Sequence, residues 1–132
     1  MSSNIETTRR GYEFFKRGDV PGLIREIVDD DCLWIGAGPK EKLPWAGQFK
    51  GKQGVANFFS QVSQHLDFTD FAPREMVEQS DTVVVIGTSS ARMKKTGKAV
   101  QTDWVHVIKY KQGKLIFWQE YTDTAAEVLG LS

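Results

Sequence analysis

A chain of 132 residues with 40% hydrophobic side chains is about the size of one domain and can bury a sizeable core. Its 17 basic and 17 acidic residues cancel to zero net charge, which excludes a strong general field for nucleic acid or an anionic membrane, and the apolar content excludes disorder. No apolar run approaches the ~18 residues of a membrane span, Met1-Ser2-Ser3-Asn4 has no signal-peptide core, and Cys32, the only cysteine, forbids an internal disulfide, so a cytoplasmic location is expected.

The first half of the chain reads as helical. Ile5, Thr8, Tyr12 and Phe15 fall on one helical stripe. Gly18 suits the position past that helix, Asp19 caps a second one, and Pro21 is tolerated in its first turn. Leu23, Ile24, Ile27 and Val28 share a face of this second helix. Asp29-Asp30-Asp31 opposes the negative end of a helix dipole and predicts a solvated exit loop. Cys32–Ile35 predicts a brief strand. From Gly36 to Gly54, glycines and prolines predict a loop that Trp45 and Phe49 fold back onto the core. Val55, Phe58, Phe59, Val62 and Leu66 then mark a third helix. Beyond Asp67 the segments 68–79, 82–94, 98–110 and 114–123 are dense in Val, Ile, Thr, Phe and Trp and predict strands, with a terminal turn around 125–129.

Turn chemistry predicts the register. A two-residue Thr96-Gly97 loop pairs Lys95 with Lys98, which sets Ser89 opposite Trp104 and Gly87 opposite His106. A three-residue loop, Lys111-Gln112-Gly113, pairs Tyr110 with Lys114, which sets His106 opposite Trp118 and Trp104 opposite Glu120. One sheet face then carries Gly87, Ser89, Ala91, Thr102, Trp104, His106, Ile108, Ile116, Trp118 and Glu120. The other carries Val105, Val107, Phe117, Gln119 and Tyr121. Both faces need cover. Three helices can cover one, and a homodimer formed through the back of the sheet would cover the other.

The order helix, Gly18-Asp19, helix, Asp29-Asp30-Asp31, strand, Gly51-Lys52-Gln53-Gly54-Val55 at the third helix, then a meander ending Gly113-Lys114-Leu115…Trp118-Gln119-Glu120-Tyr121-Thr122-Asp123, resembles the SnoaL-like branch of the nuclear-transport-factor-two superfamily. That superfamily includes ketosteroid isomerase and limonene epoxide hydrolase. The resemblance spans roughly residues 4–125 of one domain covering 1–132. It implies an α+β fold: a cone-shaped, curved mixed or antiparallel sheet wrapped around three N-terminal helices, a cystatin-like α+β barrel with an apolar pocket, usually dimeric. The fold hosts many chemistries, so activity is read position by position. Where the isomerases carry their base, this chain has Ile35 or Gly36. Their second acid falls on His106, which can still donate a hydrogen bond, and their first-helix Tyr falls one residue from Tyr12. The base of the epoxide hydrolases falls on Glu120. Their Arg and acid positions fall on Gly87 and Ser89, and their water-holding Tyr and Asn on Trp34 and Gly36. Neither reaction is expected as those families run it.

Two residues can carry proton chemistry. Glu120, mid-strand beside two tryptophans, suits a base whose pKa an apolar wall raises; a rim ion pair is the alternative. His106, one strand over, is a partner or donor for it, or else a core histidine bonded to a backbone carbonyl. Trp34, Trp45, Trp104 and Trp118, with Tyr12, Phe58 and Ser89, are expected to line a site for a small hydrophobic ligand; core packing is the alternative for each aromatic alone. Asp103 and Asp123 fall on the opposite face. His65 and His106 lack metal-ligand spacing, and Asp29–Asp31 lacks the alternation of a calcium loop, so no metal and no cofactor are expected. The glycine clusters are not phosphate fingerprints, and Lys94, Lys95 and Lys98 form a solubilising tip. The functional expectation is a ligand-binding domain with cofactor-free acid–base catalysis of isomerase, cyclase or hydrolase type; the alternative is a non-catalytic binding or dimeric interaction module.

Overall fold

The computed structural model describes residues 3–132; Met1 and Ser2 of the polar start lie outside them. The elements run α1 (Asn4–Lys16), α2 (Val20–Glu26), β1 (Val28–Gly36), β2 (Gly47–Lys50), α3 (Gly51–His65), β3 (Leu66–Gln79), β4 (Thr82–Met93), β5 (Ala99–Lys111), β6 (Lys114–Thr122) and α4 (Thr124–Gly130). The strands form one sheet in the order β2-β1-β6-β5-β4-β3, antiparallel except for the parallel β1–β6 pair. Bulges in β3 and at the β5–β6 turn curve this sheet around the helices, giving the cone-shaped α+β fold that the family resemblance implies, with the sheet left unclosed. No helix among the described residues is long and apolar enough to cross a membrane.

Local chemistry accounts for the helices. Ser3 caps α1 by accepting from the Glu6 N–H, and Asp19 caps α2 by accepting from the Gly22 N–H. Phe14 and Leu23 bury the α1–α2 junction. Gly22 is needed there, since a Cβ would come within 2.7 Å of the Phe14 ring. On α3, Val55, Phe58 and Val62 face the sheet as their spacing predicts.

Several boundaries differ from the sequence reading. Asp29-Asp30-Asp31 lies within β1 instead of an exit loop. A register shift against β6 between Val28 and Leu33 absorbs the acidic run, with Asp29 accepting from the Asp31 N–H and Lys52 reaching Asp30 at 3.6 Å. The 36–54 loop contains β2, which pairs antiparallel with β1, and α3 begins at Gly51. The terminal turn is the helix α4, capped by Asp123.

Both expected hairpin registers are corrected, each by two residues. The β4–β5 loop is Lys94–Gly97, closed by Met93 and Lys98, so Gly87 opposes Trp104 and Ser89 opposes Thr102. At β5–β6 the turn is Gln112-Gly113, both at positive φ (51° and 78°), so Lys111 pairs with Lys114. A bulge at Lys109/Tyr110 then sets His106 opposite Glu120, Ile108 opposite Trp118 and Trp104 opposite Thr122. A two-residue slip preserves which face each side chain occupies. The bulge itself moves one residue: Leu115, not Ile116, is the buried one.

Candidate functional site

The concave face of the sheet, α1 and α3 enclose a cavity of about 100 Å³. All nine residues singled out from the sequence line it: Tyr12 from α1, Trp34 from β1, Trp45 from the 37–46 segment, Phe58 from α3, Ser89 from β4, Trp104 and His106 from β5, and Trp118 and Glu120 from β6. Asp103 and Asp123 stay outside it, Asp103 exposed and Asp123 capping α4.

Alternation along the strands aims these side chains inward, and glycine makes room for the largest. A Cβ at Gly87 would collide with the Trp104 indole, so Gly87 lets that ring lie flat on the sheet. The rings then form two stacks. Trp104 stacks on His106 at 4.0 Å and on Phe71 at 4.9 Å; Trp34 stacks on Trp118 at 4.2 Å. Phe58 meets Trp118 edge-on, and Phe59, Phe68 and Phe71 complete an aromatic wall.

A polar line crosses this wall. Tyr12 Oη lies 2.7 Å from His106 Nδ1, and His106 Nε2 lies 3.5 Å from Glu120 Oε2. Burial lowers the His106 pKa, against the pull of Glu120, and so favours the neutral imidazole. Burial and the nearby Tyr110 and Glu120 push the Tyr12 phenol well above its ordinary value, so it keeps its proton. A protonated phenol donating to Nδ1 puts the ring proton on Nε2, facing the Glu120 carboxylate. His106 is therefore not the core histidine bonded to a backbone carbonyl that the sequence also allowed. Deeper in, Thr8 and Tyr110 share a 2.7 Å hydrogen bond, with burial pushing Tyr110 up to about 12. Ser89 and Thr102 face each other at 3.2 Å.

Glu127 is the lining group that the sequence reading missed. It is 9% exposed, and burial, followed by the charge of Glu120, pushes its carboxyl up to about 8. The neighbouring Trp45 indole pulls the pKa the other way, by less than burial raises it. In a helix of only seven residues no sequence signal separates an inward-facing side chain from an outward one. Among the described residues, Trp34 Nε1, Trp104 Nε1, His106 Nε2 and Glu127 Oε1 are buried without a hydrogen-bond partner, and all four residues line the cavity. No cluster of three or more His, Cys, Asp or Glu side chains among the described residues is arranged to hold a metal.

A family model for the SnoaL-like domain matches residues 8–118. An NTF2-like protein of unknown function from Burkholderia pseudomallei has a TM-score of 0.90 at 27% identity, over 100% of this chain and 99% of its own. TerC, co-crystallised with polyporic acid, has a TM-score of 0.87 at 29% identity, over 98% of each chain. Bal32a, from a soil-derived mobile gene cassette, has a TM-score of 0.80 at 25% identity, over 98% of this chain and 96% of its own. No curated protein matches significantly.

Proposed function

The chain belongs to the SnoaL-like domain family, and from that premise we propose that it binds a small, largely apolar molecule in the aromatic cavity and moves a proton on it without a cofactor, Glu120 acting as base. The observation that carries this reading is the Tyr12–His106–Glu120 line, three groups able to give or take a proton, in series on a largely aromatic wall. TerC, a neighbour of 29% identity co-crystallised with polyporic acid, supports a small organic ligand for this fold. In the proposed step the Glu120 carboxylate takes a proton from a C–H beside a carbonyl. The C–H electron pair becomes the new C=C bond, and the carbonyl π pair moves onto its oxygen. Return of the proton from Glu120 to carbon completes an exchange or shifts a double bond. His106, its tautomer held by Tyr12, faces the carboxylate with Nε2–H across 3.5 Å, near enough to tighten into a hydrogen bond when the ligand binds.

The test uses acetophenone in D₂O, with deuterium entering its methyl group followed by NMR. The protein is expected to accelerate exchange, and Glu120→Gln to reduce the acceleration at least about 100-fold with the melting curve unchanged. Acceleration retained in the Gln variant would overturn the assignment to Glu120. The second reading, a binding module without turnover, draws support from Ile35 and Gly36, which stand where the family's isomerases carry their base and cannot move a proton. Acetophenone binding without exchange would select it.

The reading includes a homodimer through the convex face of the sheet. There Ile86 (41% exposed) and Tyr121 (52% exposed) lie among half-buried Val84, Val105, Val107 and Phe117, an apolar patch suited to a second copy.

A further inference from the structure

Glu127 lines the cavity but stands apart from the Tyr12–His106–Glu120 line. The helix that carries it is pinned at both ends. At its start, Asp123 Oδ1 accepts from the Ala126 N–H at 3.0 Å. At its end, Thr96 Oγ1 donates to the Gly130 carbonyl at 2.6 Å and Lys98 Nζ to the Ser132 carbonyl at 2.7 Å. Gly130 lets the helix settle onto β4 and β5, since a Cβ there would meet Val100 at 2.5 Å and Met93 at 3.2 Å; both of those residues line the cavity. So anchored, α4 contributes one side chain to the cavity lining, Glu127, buried to 9% exposure with Oε1 unpartnered.

We propose that Glu127 is a ligand-recognition residue that presents its carboxylic acid O–H to a carbonyl or other acceptor oxygen of the bound molecule, in a subsite formed with Trp45 and Glu120. This rests on the reading of the cavity as a ligand site and deepens it: the ligand carries an acceptor oxygen at the α4 end. A buried acid with an oxygen facing a cavity is desolvated at a loss unless a partner meets it. Glu127 Oε1 has no protein partner and is left for the ligand. The titratable groups facing it are Glu120 from β6 and Asp123 from its own helix, both acidic, and both favour the neutral, donating form. Trp45, Met93 and Val100, which line the same cavity, are not ionisable.

The test compares two probes of similar shape, acetophenone and cumene, of which only the first has an acceptor oxygen. Dissociation constants are measured by ligand-observed NMR. At pH 6 the wild-type protein is expected to prefer acetophenone about tenfold, the worth of one hydrogen bond to a buried donor. At pH 9.5, with Glu127 ionised, the preference should vanish while cumene binding stays. Glu127→Gln retains an N–H donor and should keep its preference at both pH values. Glu127→Leu should bind both probes alike. Equal binding of the two probes by the wild type at pH 6 would overturn the role of Glu127 and leave the ligand site standing. A Gln variant whose preference falls at pH 9.5 as the wild type's does would also overturn it. Failure of both probes to bind would remove the ligand site and this inference together.

Discussion

Replacing Glu127 by Gln should reshape the pH dependence of stability. The Glu127 carboxyl titrates near its ordinary 4.5 in the unfolded chain and is pushed up to about 8 in the fold. Between those values the folded state holds a proton that the unfolded state has lost. The sign follows: unfolding becomes easier as pH rises through this window, and the full penalty is present above about pH 8. The slope approaches about 1.4 kcal/mol per pH unit, and the integrated effect is on the order of 5 kcal/mol. Gln has the same shape, keeps a donor and does not titrate. Urea unfolding followed by tryptophan fluorescence at pH 5, 6.5, 8 and 9 gives ΔG for both proteins. The difference, variant minus wild type, should grow steadily with pH and level off above 8. Parallel pH profiles for the two proteins would refute the buried, protonated Glu127.

Three further outcomes follow from the geometry. Tyr12→Phe removes the hydrogen bond to His106 Nδ1, so it should lower stability by about 1 kcal/mol and change the ¹⁵N shifts that report the His106 tautomer. Unchanged imidazole shifts would count against the proton line. Gly87→Ala drives a methyl into the Trp104 indole and should cost about 1–3 kcal/mol in urea unfolding, whereas Ala at the solvent-facing Gly97, whose Cβ meets nothing, pays only for its positive φ. Ile86→Glu with Tyr121→Glu should convert a dimer to a monomer in sedimentation equilibrium without lowering cumene affinity; a wild-type monomer would contradict the proposed interface.

What could be read from the sequence was set by the two-residue period of strands. Both hairpin registers slipped by two, one through a loop wider than Thr96-Gly97, the other through the tighter Gln112-Gly113 turn together with a bulge at Lys109/Tyr110, so side chains kept their faces and changed their partners. Trp104, His106, Trp118 and Glu120 were therefore legible as one face. That His106 sits directly opposite Glu120 was not, because no local signal marks a bulge between two strand-forming residues. Ile116 and Leu115 exchanged roles at that bulge for the same reason. Asp29–Asp31 misled because three acids oppose a helix dipole and equally suit the exposed edge of an irregular strand. Glu127 was illegible because α4 spans two turns, too short for periodicity to separate an inward face from an outward one. Its burial comes from long-range anchoring by Thr96, Lys98 and Gly130.

The aromatic cavity is proposed to take a small apolar ligand beside the Tyr12–His106–Glu120 line. The most direct measurement is a ¹H–¹⁵N titration of the indole groups with acetophenone. The cavity-lining Trp34 and Trp104 carry indole N–H groups without protein partners. Their resonances are expected to move saturably and together, and Phe58→Trp, which fills the space beside Trp118, should abolish the shift. Indole resonances that stay fixed up to the solubility limit of the ketone would contradict the account.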